Sequence, residues 1–239
     1  MSGAEKFDIA KRIAESPRFV KHNYVTPKSP TFQYVRYRAL RPLLKLNYKF
    51  FRWRKGVTPW LSQAAIVTLE KLLTREMVGL EYGSGNSTLF IASKIKHLTS
   101  VEHNDQWFRI VSKELSERGL TNVDYQCIPP RPEPSPDNTK IIFPVCHPPF
   151  QTRREYADYF SFVTSFPEKH FDFMLIDGRA RVECSLNALP RLKEGGIFVL
   201  DNSDRRRYAT VFDVLRDWPR VTSTTGLFDT TIWFKPERS

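Results

Sequence analysis

The feature that most constrains this chain is a short apolar strand that ends at an acid and runs straight into a glycine turn, Val78-Gly-Leu-Glu-Tyr-Gly-Ser-Gly-Asn-Ser-Thr88. Val78–Tyr82 has strand character, and a helix is expected from about Asn86 to Ile95. The same rhythm then repeats. His97–Glu102, Val123–Ile128, Phe171–Asp177 and Ile197–Asp201 read as strands, with helical patterns at Asp105–Arg118, Tyr156–Phe166, Arg181–Leu192 and about Arg206–Trp218. Gly195-Gly196 reads as the turn before the fifth strand. Alternating strand and helix requires a mostly parallel sheet covered on both faces. Arg220–Thr224 and Thr230–Phe234 have no helix between them, so they are expected to form a terminal hairpin with one strand antiparallel. The expected class is α/β, a three-layer α/β/α sandwich around a sheet of about seven strands.

Charge divides the chain unevenly. The net charge is +11, yet residues 1–60 hold 14 Lys and Arg against 3 Asp and Glu, leaving 23 against 23 in the rest. A basic, aromatic-rich N-terminal arm (1–57) therefore precedes an electrically balanced domain (58–239). Within the arm, Pro42 suits a first helical turn, Leu40, Leu44, Tyr48 and Phe51 recur at helical spacing, and Gly56 closes the helix. Thr58-Pro59 is expected to start the next helix, running from Trp60 to about Leu73. Residues 129–149 carry eight prolines and read as an inserted loop. No apolar run approaches the roughly 20 residues of a membrane-spanning helix, and no signal-peptide core follows Met1. Cys127, Cys146 and Cys184 form no C-x-x-C pair, which favours a reducing, cytoplasmic setting.

The glycine turn sits where ligands collect in open parallel sheets, beyond the carboxyl ends of strands. Gly83 and Gly85 let a ligand approach the backbone closely. Thr88 stands where a dinucleotide fingerprint would have its third glycine, and Glu81 would oppose a pyrophosphate. Twenty-one residues after Glu81, Glu102 ends the second strand, well placed to accept both hydroxyls of a ribose. The combination resembles the class I S-adenosylmethionine-dependent methyltransferases, over roughly residues 58–239, with Phe171-Asp-Phe-Met-Leu-Ile-Asp177 and Gly195-Gly-Ile-Phe-Val-Leu-Asp201-Asn in matching order. The resemblance implies a Rossmann-like fold and S-adenosyl-L-methionine as cofactor. It assigns cofactor contacts to Glu81, Tyr82, Gly83, Ser84, Gly85, Ser87, Thr88 and Glu102, with His103 flanking the adenine.

Asp177, Asp201 and Asn202 stand at the ends of neighbouring strands, a set similar to the Mg²⁺ site of catechol-type and caffeoyl-CoA-type O-methyltransferases. Arg179 and Arg181 beside Asp177 weigh against a cation, so metal-independent activity is expected, with the two arginines and Tyr156 binding an acceptor. Asp177 or His147 would take the proton. The Arg205-Arg206-Arg207 run at a helix start opposes the macrodipole and hints at an anionic partner. The expected reaction is methyl transfer to an oxygen, less readily a nitrogen, of a small-molecule or sugar-like acceptor. The competing reading is a non-catalytic binding or scaffold protein that docks through its basic arm. For residues 34–55 three roles stand: packing on the domain, lying on an anionic membrane surface as a peripheral protein, or stacking on nucleic acid, the last disfavoured by the neutral body.

Overall fold

A computed structural model describes residues 1–21, 32–132 and 153–237. Helices α1 (Gly3–Ala14), α2 (Phe32–Lys55) and α3 (Gln63–Leu72) precede the alternating region. There follow β1 (Val78–Tyr82), α4 (Asn86–Ala92), β2 (His97–Glu102), α5 (Asp105–Glu117) and β3 (Val123–Cys127). After the proline-rich segment come α6 (Ala157–Ser161), β4 (Phe171–Ile176), α7 (Arg181–Ala188), β5 (Leu192–Asp201), α8 (Ala209–Val214), β6 (Arg220–Thr224) and β7 (Asp229–Phe234). The seven strands form one sheet in the order β3-β2-β1-β4-β5-β7-β6. Strands β1 to β5 are parallel, and β7 runs antiparallel between β5 and β6. The expected sandwich with its terminal hairpin is therefore the observed fold.

Two apolar clusters cover the two faces of the sheet. From Phe173 on, residues of β4 alternate between them, Met174 and Ile176 on one side and Phe173 and Leu175 on the other, while Phe171, before a register irregularity, joins the first. A strand buried on both faces reads as a nearly continuous apolar run, which is why Phe171–Ile176 was legible despite Asp172 near its start. The strand order reverses between β1 and β4, so the switch point opens a crevice at their carboxyl ends.

Several local expectations are corrected. Helix α2 begins well before Leu40, and Pro42 lies inside it rather than in its first turn. The next helix starts at Ser62, whose side chain accepts from the Ala65 N–H, while Thr58 is buried upstream. The Gly195-Gly196 pair does not precede β5 but lies within it, with Gly195 at φ +67°. The helix foreseen over Tyr156–Phe166 is broken into short 3₁₀ and α segments around α6. The one foreseen over Arg206–Trp218 is reduced to a 3₁₀ turn and α8.

Residues 3–14 are an integral part of the packing. Ser2 and Glu5 form a capping box, Ala10 is fully buried, and the Phe7 ring meets Phe234 of β7 edge-on at 6.0 Å. Among the described residues, no helix is long and apolar enough to cross a membrane.

Candidate functional site

The crevice at the strand ends is a cleft of about 830 Å³. Its floor comes from the β1–α4 turn (Gly83, Ser84) and the β2–α5 junction (Glu102, His103, Asn104); the β4–α7 turn (Asp177 to Arg181) forms one wall. The two turns cross almost in contact. A Cβ on Gly83, at φ +88°, would fall 2.5 Å from the Gly178 nitrogen, and one on Gly178 would run into the Tyr159 hydroxyl. Each glycine is required by the other element's backbone or side chain.

Glu102 is 2% exposed and is the best-supported carboxylate in the cleft. Its Oε2 accepts from the Ser84 N–H at 3.0 Å and the Ser84 hydroxyl at 2.8 Å. Its Oε1 accepts from the N–H groups of His103 and Asn104 at 2.8 and 2.9 Å. Burial alone would raise its pKa, but hydrogen bonds from His103, Ser84 and Asn104 outweigh it and hold the group at about 2. The Ser84 hydroxyl also lies 2.6 Å from the Tyr125 hydroxyl, so it has an alternative partner if a ligand displaces it from Glu102.

Glu81 lies beneath this floor, not in it. It is fully buried, and its Oε2 accepts from the Thr88 and Ser100 hydroxyls at 2.6 and 2.7 Å. The Thr88 Oγ1 in turn accepts from the Gly85 N–H at 2.9 Å, so Glu81 and Thr88 brace the glycine turn from below. Burial raises the Glu81 pKa to about 7 despite those hydroxyls. Tyr82 is likewise turned into the core, where its hydroxyl donates to the Phe160 carbonyl and accepts from the Val163 N–H. Ser87 is buried in the first turn of α4 and, like Glu81, Tyr82, Gly85 and Thr88, is absent from the cleft lining.

At the opposite wall, Arg181 is 8% exposed and its guanidinium is fully engaged by its own neighbourhood. Nε donates to the Gly178 carbonyl, Nη1 to the Asp201 carbonyl, and Nη2 to the Asp177 carbonyl and to Asp177 Oδ1 at 2.7 Å. Nη1 also stands 3.9 Å from Asp201 Oδ2. Arg181 therefore bridges two carboxylates instead of reaching out to an acceptor, which corrects the expectation for it. The Mg²⁺ set fails for the same reason: a guanidinium sits between Asp177 and Asp201, and Asp201 is further held by the Thr230 hydroxyl at 2.8 Å and the Asn202 amide. No cluster of three His, Cys, Asp or Glu fit for a metal occurs among the described residues. Burial raises the pKa of Asp177 and Asp201, with Arg181 opposing the rise in both.

Tyr156 does not line the cleft. Its ring packs edge-on against His103 at 5.8 Å and Tyr159 at 6.1 Å. His103 does reach the cleft and keeps Nδ1 2.8 Å from Glu102 Oε1. His147 lies outside the described residues. Two groups that sequence reasoning missed complete the site. Trp107 lies on the first turn of α5, is half exposed, donates from Nε1 to the Ser84 carbonyl at 2.9 Å and covers Gly85. The signal for it was Asn104, whose side chain caps α5 and so places Trp107 beside the ligand turn. Arg153 reaches the cleft from the far side of the proline-rich segment. Arg179, Arg205 and Arg207 line the cleft exposed to solvent.

No protein-family profile matches the chain, and no curated protein matches it. Solved structures do. A candidate caffeoyl-CoA O-methyltransferase from Staphylococcus aureus aligns over 83% of this chain and 91% of its own, with TM-score 0.50 and 13% identity. This chain has the class I methyltransferase fold. A methyltransferase-like protein from Silicibacter pomeroyi aligns over 77% of this chain and 92% of its own at 24% identity, with TM-score 0.49. A candidate methyltransferase from Streptococcus mutans in complex with SAH aligns over 70% and 93% at 11% identity, with TM-score 0.47.

Proposed function

We propose that this protein is an S-adenosylmethionine-dependent methyltransferase acting on an oxygen, less readily a nitrogen, of a small or sugar-like acceptor that carries negative charge. The observation that carries the reading is Glu102: a carboxylate held ionised at about 2, buried at the floor of the cleft and bonded to the Gly83-Ser84-Gly85 turn. An ionised acid in that place is an acceptor for paired ribose hydroxyls. Its four acceptor positions are already filled by protein donors, so an incoming hydroxyl takes over the place of the Ser84 side chain, which retains Tyr125. Trp107 and His103 offer flanking ring surfaces at the same floor.

When bound, S-adenosylmethionine supplies an electrophilic methyl group on a sulfonium. The chain's own contribution is to hold the acceptor in line and accept its proton. Asp177 is the carboxylate that faces the cleft, and burial raises its pKa, which suits a proton acceptor. The charge of the acceptor follows from the wall. Arg179, Arg205 and Arg207 line the cleft with exposed side chains, Arg205 acting on Asp177 and Arg207 lying over the Tyr208 ring at 5.0 Å, so their cations face an incoming ligand. Calorimetry with S-adenosylhomocysteine tests the cofactor: binding is expected, and Glu102→Gln should weaken it by about 10- to 100-fold as the charge-assisted bond that replaces Ser84 is lost. A wild-type protein that does not bind it would end the proposal.

A further inference from the structure

Helix α2 shows two faces that the sequence pattern did not separate. Tyr37, Leu44, Tyr48 and Phe51 turn toward the body, where the Tyr48 hydroxyl donates to the Leu61 carbonyl at 3.0 Å and its ring meets Phe228 at 5.6 Å. A second apolar row runs along the helix at Val35, Ala39, Leu43, Leu46, Phe50 and Trp53, each three or four residues from the last. At 100° per residue this row lies opposite the packed face. It is open to solvent: Leu43 and Leu46 are 63% exposed and Trp53 77%. Cations flank it on both sides, Arg38, Lys45 and Lys49 on one and Arg36 and Arg54 on the other, all exposed. The 24-residue helix carries eight Lys and Arg and no Asp or Glu.

We infer that this outer face of α2 docks in the plane of an anionic lipid bilayer. The apolar row enters the acyl boundary and the flanking cations meet the headgroups. The chemistry separates this occupant from two others. A second copy of the chain would bring two sets of eight cations together with no acid on either helix to pair them. Nucleic acid would use the cations and Trp53, but the exposed aliphatic side chains of Val35, Leu43 and Leu46 offer no ring on which bases stack. The Phe50 and Arg54 end of the row continues into a groove between α1 and α2 that adds Arg12 and Arg18, extending the basic rim. Spanning is excluded for this helix by its charge, so it lies on the surface.

Vesicle flotation of the full chain tests this with phosphatidylcholine vesicles prepared with and without phosphatidylserine. Flotation is expected with the anionic vesicles, weakened by added salt, and little with the neutral ones. Lys45→Gln/Lys49→Gln should lower the partition coefficient about 25-fold, roughly fivefold per charge. Leu43→Gln/Leu46→Gln should lower it about a hundredfold or more. These side chains are exposed and lie away from the packed face, so both variants should keep the wild-type Tm and S-adenosylhomocysteine affinity. Three results would overturn the inference: equal flotation with both vesicle types, none with either, or a dimer in sedimentation that Leu46→Gln dissociates. Tighter binding to single-stranded RNA than to anionic vesicles would overturn it as well.

Discussion

Replacing Glu102 by Gln should produce a stability defect that shrinks in acid. The wild-type carboxyl falls from its ordinary value of 4.5 to about 2 on folding. A shift of that size contributes about 3 kcal/mol of stability near neutrality. Its sign follows from the depressed pKa: the contribution is complete above pH 4.5 and is lost as the pH falls through about 2. Linkage for this single group leaves about 2 kcal/mol of it gone by about pH 3. The amide cannot restore the loss, because its NH₂ must face either the Ser84 donors or the His103 and Asn104 N–H groups. Leaving such buried donors unpaired costs about 1–3 kcal/mol each, at any pH. Urea unfolding of wild type and variant, followed by tryptophan fluorescence from neutral pH down to about pH 3, reads the gap directly. It should exceed about 3 kcal/mol at neutrality and close by about 2 kcal/mol on acidification. A gap that is constant or widens in acid would show that Glu102 is not held ionised by the His103 ring and those four donors.

Other substitutions test neighbouring parts of the site. Ser84→Ala removes the protein hydroxyl that competes for Glu102, so S-adenosylhomocysteine should bind as tightly or up to about fivefold tighter by calorimetry. Glu81, raised to about 7, has the opposite sign: stability complete below 4.5 is lost as pH climbs through 7, and Glu81→Gln should flatten thermal melts across pH 5 to 8. Arg181→Met strands Asp177 and Asp201 beside one another and should cost about 3–5 kcal/mol in urea titration. Chelator should leave turnover unchanged, and full inhibition reversed by Mg²⁺ would show that the Arg181 bridge opens for a metal.

Much of the fold was legible because the central strands are buried on both faces and read as mostly apolar runs, with few polar residues such as Glu81 and Asp172 to interrupt them. Where the reading missed, a competing local signal was stronger than the right one. Thr58-Pro59 has the composition of a helix start, but the buried Thr58 leaves that role to Ser62, and nothing in the two segments ranks the caps. Gly195-Gly196 looks like a turn, yet a Cβ on Gly196 would fall 2.7 Å from the Lys193 carbonyl oxygen and 2.8 Å from Leu192 Cγ; the pair allows a tight bend inside β5. Residues 3–14 fall within the basic arm by charge, which hid the spaced contacts of Phe7 and Ala10 with the domain. In the site, the glycine turn and Glu102 were readable from spacing. The inward turn of Tyr82 and Glu81 was not: both end β1, and only the packing of α6 and α4 shows that their side chains serve the core.

The short segment from Asp177 to Arg181 shows how the wall acquires its charge. Gly178 is required where this turn crosses the β1–α4 turn under Tyr159. Ala180 then takes a left-handed conformation at φ +46°, strained for a residue with a Cβ. The strain returns Arg181 across one helical turn to Asp177 and sets it between Asp177 and Asp201. Two carboxylates at neighbouring strand ends would otherwise have to bind a cation or share a proton. An internal guanidinium meets that need within the fold and consumes the negative charge that a metal would have used. Arg179, two residues earlier, stays outside the bridge and exposed to the cleft, with Arg205 and Arg207 beyond it. The acidic groups are thus paired inside the wall while the cations remain on its surface, so this wall of the cleft carries positive charge.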